Sequence, residues 1–132
     1  MAAFLTFLWQ QLFATIPVPE EKHTGQTMIV TGANVGLGFE AARHLTRLDA
    51  KKVILACRNI EKGEAAKKSI EETTQRRGVV EVWQVDLSSY ESVKQFARRV
   101  EGLERLDAII ENAAIATQKY QVFEGNESTL SI

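Results

Sequence analysis

The sequence predicts an α/β fold in which helices cross over a doubly wound parallel sheet. Two observations carry this prediction. From Gln26 onward, short segments rich in β-branched residues alternate with helical segments, and a glycine-rich turn follows the first of these short segments. The 132 residues suffice for one domain. We expect residues 1–24 to form an N-terminal amphipathic helix and linker, and residues 25–132 to form the sheet domain.

The predicted domain alternates strands and helices along the chain. Strands are expected at 27–31, 52–56, 79–85 and 106–110, and helices at 39–48, 60–76 and 88–100. Right-handed crossovers between parallel strands give the strand order 3-2-1-4, about half of a doubly wound sheet. No further element is predicted beyond Ala114, so the fourth strand would be an exposed edge of a truncated sheet.

Two of these helices carry local signals. In the first, Ala41, Leu45 and Leu48 recur on one face and are expected to pack on the sheet. In the third, Ser88 and Glu91 have the spacing of a capping box, in which each residue binds the backbone N–H of the other. These signals predict which side chains face the core and where the third helix begins.

Composition excludes several classes of protein. The 16 Lys and Arg residues nearly balance 17 Asp and Glu residues, so no global field would attract nucleic acid. Cys57 is the single cysteine and forms no internal disulfide, which favours a reducing, cytoplasmic compartment. With His23 and His44 as the two histidines, the spacing predicts no metal site.

The first residues form a separate apolar segment. Residues 2–16 carry no charge, yet they are shorter than the ~20 residues that cross a bilayer. Three alternatives stay open: a helix docked on the protein's own surface, interfacial contact with a membrane, or a processed targeting peptide. Pro17 and Pro19 end the helix. Its apolar residues recur at helical spacing: Phe4, Leu5, Leu8, Trp9, Leu12, Phe13 and Ile16.

The turn after the first strand has the composition of a phosphate-binding loop. Residues 31–38 read TGANVGLG and connect a predicted strand to a predicted helix. Glycines there permit a sharp turn and bring backbone N–H groups close to a pyrophosphate, whose charge the helix N-terminus favours. This context, strand then turn then helix, predicts a nucleotide site at residues 31–38.

Four motifs in order resemble those of the short-chain dehydrogenases/reductases, whose fold is of the Rossmann type. The glycine turn matches the family pattern Thr-Gly-x-x-x-Gly-x-Gly, and Asp86 is similar to the acidic residue that contacts adenine. Asn112 and Ala113 are similar to part of the family's Asn-Asn-Ala-Gly motif, although Glu111 and Ala114 depart from it. Residues 58–59 end an ACRN segment. The chain thus looks most like the N-terminal half of retinol-dehydrogenase-like and fungal members.

The residue after the second strand indicates the cofactor. A carboxylate about 20 residues beyond the glycine turn would hold the ribose of NAD, whereas an arginine accommodates the 2′-phosphate of NADP. Arg58 stands there with Lys62 nearby, so we expect NADP(H). Asp86 has an alternative role as a helix cap. The expected cofactor-binding residues are Gly32, Asn34, Gly36, Leu37, Gly38, Arg58, Lys62, Asp86 and Asn112.

The resemblance implies catalysis by a Ser and a Tyr-x-x-x-Lys pair located after a fifth strand. Tyr90 and Lys94 match that spacing, but they lie on the helix after the third strand, so we assign no catalytic residue. The expected function is an NADP(H)-dependent oxidoreductase of a small carbonyl or alcohol substrate, present as its cofactor-binding half. The alternative is a catalytically inactive nucleotide-binding or protein-interaction module that self-associates through its exposed strand and N-terminal helix.

Overall fold

A computed structural model describes residues 2–13, 15, 17–117 and 119–131. It contains a four-stranded parallel sheet, a short antiparallel hairpin and five helices within those residues. In chain order the elements are α1 (Ala2–Phe13), β1 (Thr27–Thr31), α2 (Gly36–Arg47), β2 (Lys52–Cys57), α3 (Ile60–Thr74), β3 (Val80–Gln84), α4 (Tyr90–Glu101), β4 (Ala108–Ile110), β5 (Val122–Phe123), β6 (Asn126–Glu127) and α5 (Ser128–Ser131).

The parallel sheet has the strand order β3-β2-β1-β4, which confirms the predicted 3-2-1-4 arrangement. In the central register, Ile29 of β1 lies between Ile54 of β2 and Ile109 of β4. The strands β1 and β2 are fully buried apart from Lys52, as expected for a sheet covered on both faces. The side chain of Ile109 is 48% exposed, so the edge formed by β4 is open within the described residues.

Two apolar clusters hold the sheet between its helices. On one face, Val30, Val53 and Leu55 pack with Ala66 and Ile70 of α3. On the other face, the side chains Ile29, Ile54, Trp83, Phe96 and Val100 bring α4 onto the sheet. Because successive residues of a strand point to opposite faces, the continuous apolar runs of β1 and β2 supply both clusters.

The buried face of α2 agrees with the predicted one in part. Leu48 is buried at the end of the helix and Leu45 packs against the core, as predicted, while Ala41 is half-buried. The helix also buries three residues that were not predicted: Gly38, Ala42 and Thr46. The physical reason is that Thr46 enters the core with its hydroxyl satisfied, since it donates to the carbonyl of Ala42 at 2.8 Å.

The N-cap of α4 also lies one residue later than predicted. Ser89, rather than Ser88, is the N-cap, and its hydroxyl accepts from the N–H of Ser92 at 3.4 Å. Ser88 is held outside the helix because both its N–H and its hydroxyl donate to the carboxylate of Asp86. The predicted capping box of Ser88 with Glu91 is therefore wrong, and a local turn at Asp86 takes its place.

A hairpin stands where no further element was predicted. Strands β5 and β6 pair across a turn at Glu124 and Gly125, which have φ of 48° and 88°. The Glu124 carboxylate accepts from the N–H of Tyr90 at 2.8 Å, and Asn126 donates to the Tyr90 hydroxyl. The hairpin thus fastens to the N-terminus of α4. Strands of two residues are too short to produce a recognisable alternation in the sequence.

The helix α1 is not docked on the domain. Its large apolar side chains are all exposed, from 37% for Leu8 to 72% for Leu12. The expectation that this helix packs on the protein's own surface is therefore wrong for the described residues. Ile16, the last member of the predicted apolar stripe, lies outside them. Within the described chain, no helix has the length and apolar character needed to cross a bilayer.

Hydrogen bonds connect the linker after α1 to the end of α2 and the turn that follows it. The N–H of His23 donates to the carbonyl of Leu48 at 2.7 Å, and Thr24 forms a β-bridge with Ala50. The Thr24 hydroxyl also donates to the Asp49 carboxylate at 2.7 Å. These contacts lie at the amino ends of the parallel strands, because β2 begins directly after Ala50.

Arg76, in the turn after α3, binds the end of α2 and the turn that follows it. Its guanidinium donates to the carbonyls of Thr46 and Ala50 at 2.6 and 3.0 Å, and it pairs with Asp49 at 3.1 Å. Asp49 has a left-handed φ of 72°, so the turn after α2 is strained for a residue with a side chain. The arginine supplies additional donors to carbonyls at the helix end and in the turn after it.

We predict that Arg76→Met lowers the free energy of unfolding by about 1–3 kcal/mol, because it removes charge-assisted hydrogen bonds to two carbonyls. Urea denaturation followed by circular dichroism measures this difference. Arg77→Met is the matched control, since the neighbouring Arg77 is exposed. Equal midpoints for the two variants would show that the contacts of Arg76 do not stabilise the fold.

Candidate functional site

A cavity of about 370 Å³ lies at the carboxyl ends of the parallel strands. The turn after β1 forms one wall, the ends of β2 and β3 form the second, and the segment after β4 forms the third. In open α/β sheets, ligands bind outside this edge. The structure brings five of the predicted site residues to the lining: Gly32, Asn34, Arg58, Asp86 and Asn112.

The remaining predicted site residues lie near the cavity lining but outside it. Gly36 begins α2, and the side chain of Leu37 is 84% exposed in its first turn. Gly38 is buried beneath the turn. Lys62 lies exposed in the first turn of α3, where its N–H donates to the side chain of Asn59 at 2.9 Å.

The N-terminus of α2 lacks the side-chain cap that other helices of the domain have. Asn59 caps α3 and Ser89 caps α4, but the N-cap of α2 is Val35, which offers no side-chain acceptor. Gly32 and Gly36 have φ of 65° and 64°, which a residue with a side chain rarely adopts. The described first turn of α2 therefore presents its N–H groups without a side-chain acceptor, as an anion-binding helix end does.

Hydrogen bonds from Thr31 join the turn to the segment after β4. The Thr31 hydroxyl accepts from the backbone N–H groups of Asn112 and Ala113, each at 3.0 Å. The side-chain amide of Asn112 donates to the Thr31 carbonyl at 3.0 Å and to the Gly32 carbonyl at 3.4 Å. Thr31 is missing from the predicted set of site residues. Its signal in the sequence is a hydroxyl residue at the last position of an apolar strand.

Two glycines leave space for the hydrogen-bonded contact between Thr31 and Asn112. A Cβ on Gly32 would lie 3.0 Å from the Cα of Ala113. A Cβ on Gly38 would overlap the side-chain amide of Asn112 and approach the Gly32 carbonyl to 2.8 Å. Gly38, the third glycine of the turn, is therefore required because a side chain at this position would displace Asn112.

The end of β2 is packed closely against α3. Cys57 is 3% exposed, and its thiol donates to the Asn59 carbonyl at 3.4 Å. Burial, reinforced by the Glu64 carboxylate, raises the pKa of Cys57, so the thiol stays protonated and unreactive. A Cβ on Gly63 would lie 2.7 Å from the Cys57 sulfur and 2.5 Å from Val82. Gly63 was not recognised in the sequence, where its sole signal is a glycine inside a helix.

Asp86 stands at the far side of the cavity from the turn. Its carboxylate accepts from the Ser88 hydroxyl at 2.6 Å and from the Ser88 N–H at 3.0 Å. These hydrogen bonds, with a smaller contribution from Arg58, lower the pKa of Asp86 and keep it ionised near neutral pH. Since Ser89 caps α4, the alternative role of Asp86 as its cap is wrong. Contact of Asp86 with adenine stays a prediction.

The residues that depart from the family motifs occupy different places. Ala114 lines the cavity, whereas Glu111 is exposed outside its lining. Tyr90 and Lys94 lie on α4, also outside the lining, with Tyr90 engaged by the hairpin. Among the described residues, no three His, Cys, Asp or Glu side chains are placed to hold a metal ion.

Comparison with known proteins identifies the family. Residues 26–130 match the sequence model of the short chain dehydrogenases. The chain belongs to this family. The chain is 49% identical over 128 residues to a short chain dehydrogenase/reductase of Cryptosporiopsis, and 47% identical over 128 residues to a short-chain dehydrogenase of Penicillium roqueforti. These alignments cover 96% and 97% of the chain, but 40% and 33% of the two relatives.

Two solved structures support the same fold. A short chain dehydrogenase from Escherichia coli, complexed with NADPH, is 33% identical with a TM-score of 0.65, and the match covers 74% of this chain and 41% of that one. A Mycobacterium paratuberculosis protein is 38% identical with a TM-score of 0.70, over 84% and 38% of the two chains. The chain thus spans well under half the length of these relatives.

We predict that Thr31→Val lowers the free energy of unfolding by about 2 kcal/mol or more, because two N–H groups lose their acceptor. Thr31→Ser keeps the hydroxyl and should recover most of that loss. Urea denaturation of the two variants beside the wild type provides the measurement. If serine were no better than valine, the hydrogen bonds to Asn112 and Ala113 would not be the source of the stability.

Proposed function

We propose that residues 25–132 bind NADP(H) and form the cofactor-binding domain of a short-chain oxidoreductase that acts on a carbonyl or alcohol. One observation supports this proposal most. The N-terminus of α2, which has no side-chain cap, and the cationic side chain of Arg58 both border the same cavity. A dinucleotide that carries an extra phosphate needs anion-binding groups at two separate points. The cavity has them.

The turn before α2 would hold the pyrophosphate. A Cβ on Gly36 would have no atom within 4 Å, so no steric overlap excludes a side chain there. Glycine is favoured at this position because the backbone is left-handed. The same open space leaves the backbone N–H groups of the first turn, with that of Leu37 among them, accessible to phosphate oxygens. Gly32, Asn34 and Gly38 shape this turn in the proposal.

The end of β2 would select NADP(H) over NAD(H). Arg58 follows the strand directly, and its guanidinium would pair with the 2′-phosphate in a charge-assisted contact. Lys62 stands one helical turn further on and would add a second positive charge. No carboxylate occupies the position of Arg58 to receive the ribose hydroxyls of NAD. Asp86 would accept a hydrogen bond from adenine at the same end.

The third wall would face the nicotinamide end of the cofactor. Asn112 is held by Thr31 and so fixes the backbone at which the ribose would rest. When bound, NADP(H) supplies or accepts a hydride at the carbon of the carbonyl or alcohol. The chain's residues would orient the cofactor through the contacts described. With Cys57 as its single cysteine, we propose a reducing, cytoplasmic setting.

One observation favours a second function, that of an inactive nucleotide-binding or interaction module. Within the part of the chain that the structure describes, the edge of β4 is open, with Ile109 48% exposed, and an open strand edge favours pairing with another chain. The two functions differ in self-association. NADPH binding by a chain that sediments as a monomer supports the cofactor-binding domain, whereas self-association of the chain in sedimentation supports the interaction module.

We predict that Arg58→Ala weakens NADPH binding by about 10- to 100-fold and leaves NADH binding nearly unchanged, since it removes the partner of one phosphate. Fluorescence titration at fixed salt measures both affinities. Arg77→Ala removes a positive charge remote from the cavity lining and serves as control. Wild-type protein that binds NADH as tightly as NADPH would contradict the cofactor assignment.

We predict that Gly38→Val abolishes NADPH binding, because a branched side chain displaces Asn112 and the turn. Tyr90→Phe should bind NADPH as the wild type does. The same titration, preceded by circular dichroism to verify folding, compares the two variants. Equal effects of the two substitutions would show that the glycine turn is not the nucleotide site.

A further inference from the structure

The helix α1 exposes large apolar side chains on more than one side. Its side chains Phe7 and Trp9 lie about 160° apart around the helix axis, and they are 55% and 63% exposed. Leu12 is 72% exposed, about 140° from Phe7. A helix that packs in a groove of a protein buries an apolar stripe roughly 100° wide, so docking of α1 in a groove would leave some of these apolar side chains in water. The boundary of a bilayer takes up a wider apolar surface than a groove does, and it leaves the polar side chains of Gln10 and Gln11 in contact with water and headgroups.

The charges around α1 indicate which lipid surface suits it. Residues 2–19 contain no Lys, Arg, Asp or Glu, so nothing in the helix attracts an anionic headgroup. The first charged residues after it are Glu20, Glu21 and Lys22, with a net charge of −1 from one Lys against two Glu. Binding would therefore come from apolar burial, and anionic lipid would not strengthen it.

The length and attachment of α1 fit a shallow position. Twelve residues of helix measure about 18 Å, against a hydrocarbon core of about 30 Å, so α1 reaches the interface without crossing. Its linker is fastened through His23 and Thr24 to the turn after α2, at the amino edge of the sheet. The cavity lies at the opposite, carboxyl edge. Attachment through α1 leaves the cavity accessible from the aqueous side.

We propose that α1 is a membrane-binding helix that inserts into the headgroup and acyl boundary of a zwitterionic bilayer. The partner surface is lipid, and the binding energy comes from the apolar side chains of Ala2–Phe13. Trp9 suits this position because an indole ring places its apolar body toward the acyl chains and its N–H toward the headgroups. The proposal is independent of the cofactor that the domain binds.

Flotation of the 132-residue protein with phosphatidylcholine vesicles tests the proposal directly. Wild-type protein should co-float, and neither added phosphatidylserine nor high salt should change the bound fraction appreciably. Leu12→Gln should reduce partitioning at least about tenfold. Tyr120→Gln is the matched control, because Tyr120 is 79% exposed outside α1, and it should co-float as the wild type does.

Tryptophan fluorescence reports the same event from the helix itself. Trp83 is 4% exposed in the core, so a blue shift on adding vesicles should come from Trp9. Trp9→Phe should abolish the shift and retain most of the flotation. Equal flotation of Leu12→Gln and wild type would overturn the proposal. Flotation that requires phosphatidylserine and is lost at high salt would also overturn it. An absence of flotation would overturn it as well. In that case, a dimer that Leu12→Gln dissociates would show that α1 binds a second copy of the chain instead of lipid.

Discussion

The candidate site depends on the contact between Thr31 and Asn112. One hydroxyl and one amide connect the last residue of β1 to the first residues after β4, across a separation of about eighty residues. The glycine turn fits around this contact, because Gly38 leaves the volume that the Asn112 amide occupies. Without the contact, two walls of the cavity would have no fixed position relative to each other, and buried N–H groups would lose their acceptor.

The two edges of the sheet are built in opposite ways. At the amino edge the ends of the chain segments are satisfied by neighbours: Arg76 reaches the carbonyls after α2, and the Asp107 carboxylate accepts from the N–H of Thr27 at 2.8 Å. At the carboxyl edge, α2 begins without a side-chain cap. The hydrogen bonds at the amino edge hold the sheet and its helices in place. The N–H groups at the start of α2, which have no side-chain acceptor, are thereby kept in fixed positions, as the binding of an anionic ligand requires.

The sequence predicts the sheet well because the periodicity and composition of β1 and β2 are dictated by burial on both faces. Strand order follows from the handedness of the crossovers. Features that depend on one local hydrogen bond escape such reasoning: Ser88 and Ser89 are equivalent as caps until Asp86 binds the first of them. The role of Gly63 depends on how closely α3 approaches Cys57, which no spacing along the chain reveals. The exposure of α1 is a tertiary property, and its apolar stripe alone left docking on the protein's own surface open beside membrane contact and a processed targeting peptide.

The pairing of β4 beside β1 gives the domain a contact of high sequence separation. Met28 is paired with Ala108, while β1, β2 and β3 are neighbours linked by single crossovers. Loop-closure entropy delays such contacts during folding. The cavity wall from Asn112 to Ile115 is therefore the last of the three walls to be synthesised. A nascent chain that has formed β1, β2 and the glycine turn has no complete nucleotide site until β4 joins them, so ligand binding and the completion of the sheet are thermodynamically linked.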